Sequence, residues 1–187
     1  QDLISRTNPA VMAQGSSVLL KDALLDAQSQ IAMRFSDQPT IRASVHKSLA
    51  ELFSAIDLAP QAEAQARAAL AMYREAGTEN SVEAQSVQST LAILLASNSD
   101  FAQSDAIIHA LADSLSKQQA SDQQRYLLSY AQAVNLFNKG TYADAVPHYA
   151  VAIDALARAQ PGNVGLMNAI RRNQIHAQTM AALYAEA

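Results

Sequence analysis

The stretch AVNLFNKGTYADAVPHYAVA, residues 133–152, decides the fold. Ala133 stands one turn ahead of Leu136, Gly140-Thr141 interrupts the run, and Ala145, Tyr149 and Ala152 follow at i, i+4 and i+7. That spacing gathers the contact residues of a second helix on one face. Gly140 can adopt the left-handed conformation that ends a helix, and Thr141 can cap the next one. The stretch therefore reads as a helical hairpin in which a small residue on the first helix admits close approach of the second.

Two more copies align with it without gaps. One contains Leu91, Ala92 and Leu95, then Ser99-Asp100-Phe101, then Ser104, Ile108 and Leu111. The other contains Leu49, Ala50 and Phe53, then Asp57-Leu58-Ala59, then Ala62, Ala66 and Ala69. The turn positions Asp57, Ser99 and Gly140 are 42 and then 41 residues apart. Recurrence at such a period marks tandem hairpins that bury a shared face by stacking. Asp57 and Ser99 lack the freedom of glycine, so their turns are expected to be less ideal than the one at Gly140.

Outward from the repeats, the punctuation gives about eight helices in one domain over 1–187: a leading helix over 16–36, repeats over 40–77, 81–118 and 121–159, and a terminal helix over 163–187. Ser17 can cap the leading helix, whose stripe is Leu20, Leu24, Ala27, Ile31 and Phe35. Pro39 and Pro60 fall in first turns, where a missing N–H matters little. Asn80 or Ser81, with Glu83, makes an N-terminal cap. Pro147 falls about a turn inside a helix and forfeits a backbone bond there. Lys117 to Arg125, rich in Gln and Ser, is the expected flexible joint, and Pro161-Gly162-Asn163 precedes the terminal helix.

Composition agrees with an all-α chain: 39 alanines, against five glycines, five prolines and ten aromatics in 187 residues. Alanine is the best helix former, and breakers this sparse allow few interruptions. The absence of cysteine excludes disulfides, thiolate catalysis and Fe–S ligation together, and is compatible with an oxidising compartment. A formal charge of -4 argues against a phosphate-tracking surface, so nucleic acid is not an expected partner. The longest apolar run, Leu91 to Ala96, is far short of the roughly 20 residues that span a bilayer, so no membrane insertion is expected. The chain starts at Gln1 with no basic segment followed by an apolar core, and it reads as a fragment or a processed chain.

The pattern of small-x-x-large, turn, aromatic, then Ala-x6-Ala resembles the tetratricopeptide repeat, here with longer helices than the usual unit of about 34 residues. The resemblance covers three units from Thr40 to about Ala159 and implies a right-handed α-solenoid of helical hairpins. Upstream, Asn8-Pro9, Gly15, Leu24-Leu25, Ile31, Phe35, Asp37-Gln38-Pro39 and Ile41-Arg42-Ala43 run directly into the first repeat. This junction resembles that of bacterial membrane-spanning winged-helix transcriptional regulators of the CadC-like class, and that of serine/threonine protein kinases. The Phe35 to Ala43 segment is closer to the regulators. Kinase-linked repeats usually carry a glycine at the position of Asp57, an aromatic at that of Ala59 and more arginine. The resemblance implies a periplasmic or otherwise extracytoplasmic sensor region of an inner-membrane signalling protein, with no catalytic role and no cofactor.

Chemistry-bearing residues are sparse. His46, His109, His148 and His176 lie on different helices without metal-ligand spacing, and read as surface or groove-edge histidines. No nucleophile elbow is present. Met12, Met33, Met72, Met167 and Met180 read as core fillers.

Stacked hairpins curve so that their first helices form an inner wall, where such arrays bind partners. Counted from each small residue, the wall positions are Lys47, Glu51, Ser54 and Ala55, then Ser89, Ile93, Ala96 and Ser97, then Tyr130, Val134, Phe137 and Asn138. One further period adds Arg171, Ile175 and Gln178. The candidate groove is therefore Lys47, Glu51, Ser89, Ile93, Tyr130, Val134, Phe137 and Arg171, facing a protein, a peptide or a small ligand. Tyr130 and Phe137 could anchor an apolar side chain, or could instead pack against the terminal helix. A homodimer is the other expectation, since Leu166, Ile170 and Leu183 lack a following helix to cover them.

Overall fold

The computed structural model describes residues 37–117 and 119–185; the leading helix expected over 16–36 and the junction up to Phe35 lie outside them. The described residues form seven α-helices and no strand. These are α1 (Pro39–Ala55), α2 (Ala59–Glu75), α3 (Val82–Ser97), α4 (Phe101–Ser116), α5 (Asp122–Asn138), α6 (Tyr142–Ala159) and α7 (Val164–Ala185). The described residues fall into two compact units, 37–77 and 78–185, divided at the end of the first repeat.

Local chemistry explains the boundaries. Pro39 and Pro60 occupy the first turns of α1 and α2. The Ser81 side chain accepts from the Ala84 N–H and caps α3. Ser121 and Gln124 form a reciprocal capping box on α5, so this helix begins inside the stretch expected to be a flexible joint. Thr141 does not cap α6: its hydroxyl donates back to the Leu136 carbonyl at 2.9 Å. Helix α6 runs through Pro147, whose missing N–H leaves the carbonyl of exposed Ala143 to water.

The three hairpin turns share one backbone. Asp57, Ser99 and Gly140 all have positive φ, at 59°, 63° and 82°. The following N–H reaches back five residues in each turn, from Leu58 to Phe53, Asp100 to Leu95 and Thr141 to Leu136, at 2.9, 2.9 and 3.0 Å. The N–H of the turn residue itself reaches back three, to Ser54, Ala96 and Phe137. This pair of bonds is the Schellman termination. The turns at Asp57 and Ser99 are thus built like the one at Gly140, and what distinguishes them is that a Cβ is held in the left-handed region.

Burial follows the same register. In the first unit α1 packs on α2. Ala50 and Phe53 of α1 and Ala62, Ala66, Ala69 and Tyr73 of α2 are almost wholly buried. Between them His46 Nδ1 meets Gln65 Oε1 at 2.6 Å, both residues buried; His46 is a core residue, against the sequence expectation. In the second unit α3 packs on α4 and α5, α4 on α5, α5 on α6, and α6 on α7, as stacked hairpins require. Ser104, Ile108 and Leu111 repeat the buried positions of Ala62, Ala66 and Ala69, and so do Ala145, Tyr149 and Ala152.

Polar ties fix the stacking in this second unit. Ser104 donates to the Ala92 carbonyl, Ser89 to the Leu127 carbonyl, and Gln124 Nε2 to Gln85 Oε1, at 2.9, 2.8 and 2.8 Å. Each satisfies a buried polar group that would otherwise destabilise the core by about 1–3 kcal/mol. Lys139 Nζ and Asn135 Nδ2 both donate to the Asp105 carboxylate, joining α4 to α5.

Candidate functional site

The third hairpin and terminal helix concentrate the aromatic residues. Tyr126 stacks on Tyr130 with ring centroids 6.0 Å apart, and Tyr130 approaches Tyr149 at 6.3 Å. Phe137 lies 5.2 Å from Tyr142 and 5.0 Å from the imidazole of His176. This placement follows from the repeat: Tyr126, Tyr130 and Phe137 recur along one side of α5, while Tyr149 takes the buried position of α6 that Ala66 holds in α2.

These residues bound a groove of about 290 Å³. Its apolar lining is Ile93 of α3, Tyr130, Val134 and Phe137 of α5, and Tyr149 of α6. Its polar lining is Ser97, Asn138, Asn173 and His176. The first helices α3 and α5 and the terminal helix α7 thus contribute to one concavity. Asn173 Nδ2 makes a long contact of 3.5 Å with the Tyr130 hydroxyl.

No Asp, Glu, Lys or Arg lines the groove. Burial pushes the Tyr130 hydroxyl above its ordinary pKa, the contact from Asn173 opposing this in part. Burial also pushes Tyr126 up to about 12 and raises Tyr149, so the phenols remain protonated across the physiological range.

Of the residues expected on the wall, Ile93, Ser97, Tyr130, Val134, Phe137 and Asn138 come together here. Ser89 does not: it is 2% exposed and its hydroxyl is committed to Leu127 across the α3–α5 contact. Lys47 and Glu51 belong to the first compact unit, where they pair with each other at 3.0 Å on one helix. Arg171 lies outside the groove and lines a cleft of about 520 Å³ between α6 and α7, beside Asp154, Gln174 and Ile175.

Asn163 accepts from the Leu166 N–H at the start of α7. Asn173, His176 and Tyr149 were missed by the wall count and enter the groove through the packing of α6 and α7. Ile170, expected to lack cover, is fully buried in the cluster that also holds Tyr149 and Leu156. Leu183 remains exposed.

Among the described residues no cluster of three or more His, Asp or Glu is arranged to hold a metal ion, and no helix is long and apolar enough to cross a membrane. No protein-family model matches this chain, and no curated protein matches it significantly.

Proposed function

We propose that the chain is a non-catalytic interaction module of the tetratricopeptide type, which senses a protein, peptide or small ligand and reports to an effector domain elsewhere in its parent protein. The observation that carries this reading is the groove formed by Ile93, Tyr130, Val134, Phe137, Asn173 and His176, residues from three different helices that meet only because the hairpins stack. A concavity with an apolar floor and a few convergent polar groups is the usual form of a binding site.

The parent protein in this proposal is a bacterial membrane-bound signalling protein, a winged-helix transcriptional regulator, with the repeats on the extracytoplasmic side. Its support is the resemblance of residues 8–43 to the junctions of such regulators; a kinase output is the alternative. The acidic balance of the chain favours a protein or peptide partner over nucleic acid. The test is a pair of reporter fusions placed after residue 187 in the gene encoding the chain. Alkaline phosphatase activity without β-galactosidase activity supports the topology, and the reverse overturns it.

A second reading, a dimerisation scaffold, is favoured by α7, on which Ile175, Leu183 and Tyr184 are 60–65% exposed. Sedimentation equilibrium decides it: a monomer at the highest attainable concentration removes this reading, while a dimer lost in Ile175→Glu supports it.

A further inference from the structure

We draw no further inference here: the strongest candidate, the open apolar cleft between α6 and α7 lined by Ala150, Ile153, Ala157 and Ile175 with the exposed Arg171 at its edge, carries nothing because nothing in the structure shows what covers it.

Discussion

The first and third hairpins use the same scaffold for different ends. Ala50, Phe53, Asp57, Ala62, Ala69 and Tyr73 match Ala133, Leu136, Gly140, Ala145, Ala152 and Leu156 in sequence position. In both hairpins the alanines that let the helices approach are wholly buried. The bulk shifts: the first hairpin fills its interior with Phe53 and Tyr73, the third with Tyr149 and Leu156. On the wall the two diverge completely. The first presents a lysine and a glutamate that neutralise each other, the third a tyrosine, a valine and a phenylalanine beside a cavity. The difference teaches that the small positions and the turn specify the hairpin, while the wall positions of the first helices differ from repeat to repeat.

The sharpest way to break the comparison is to remove its core. Phe53→Ala and Tyr149→Ala should each destabilise by about 3–5 kcal/mol, because both rings are essentially inaccessible and the alanine-lined surroundings cannot collapse to fill the void. Urea denaturation followed by circular dichroism measures it. A loss below about 1 kcal/mol at either site would mean that the two rings are not equivalent core elements.

The turns give the next largest effect, and it is opposite in sign for the two hairpins. Asp57 holds a left-handed conformation that disfavours a Cβ by about 1–2 kcal/mol, offset in part by the greater unfolded-state entropy of glycine. Asp57→Gly should therefore stabilise by roughly 0.5–1 kcal/mol. Gly140→Ala should destabilise by about 1 kcal/mol, although no atom lies within 4 Å of the added Cβ. Ser99→Gly should behave like Asp57→Gly. Thermal melts of the three variants test whether one turn geometry underlies all the repeats.

A smaller effect distinguishes how the hairpins use charge. In the second unit Asp105 ties α4 to Asn135 of α5 and to Lys139 at its C-terminal end, and the hydrogen bond from Lys139 is the main cause holding its carboxyl below the ordinary value, with burial opposing it. A depressed carboxylate pKa stabilises the fold above its unfolded value of about 3.9, and that stabilisation is lost as pH falls through the folded pKa. Asp105→Asn should therefore lower stability at pH 7 and flatten the acid limb below pH about 4. The carboxylate is partly solvated, so the loss should stay within about 1 kcal/mol.

Sequence periodicity made the hairpins, their turns and most of the groove legible, because small residues, turn residues and helix period all act locally. It misplaced what depends on neighbouring helices. Ser89 occupies a wall position by count, yet the approach of α5 turns it into a packing hydrogen bond. His46 lies on the buried stripe of Ala43, Leu49, Ala50 and Phe53, a sign that its residue type masked, and Gln65 of the next helix supplies its partner. Arg171 stands on the wall by count, yet it lines the cleft between α6 and α7 beside Asp154. Asn173 has no signal in the repeat at all; only the proximity of the Tyr130 hydroxyl marks it.

The smallest effect probes the wall of the first hairpin. Lys47 and Glu51 form an i,i+4 pair in which Glu51 is about half exposed. Such pairs contribute about 0.3–0.5 kcal/mol, and screening by salt reduces them further. This pair has the weaker orientation, with the lysine N-terminal to the glutamate. Glu51→Gln should therefore change stability by less than about 0.5 kcal/mol, and the change should vanish at about 1 M salt, where the Debye length is only 3 Å. A loss that persists at high salt would show that Glu51 meets a packed neighbour and is a structural residue. A salt-sensitive loss of this size would leave the wall of the first hairpin solvated, in contrast to the apolar wall of the third.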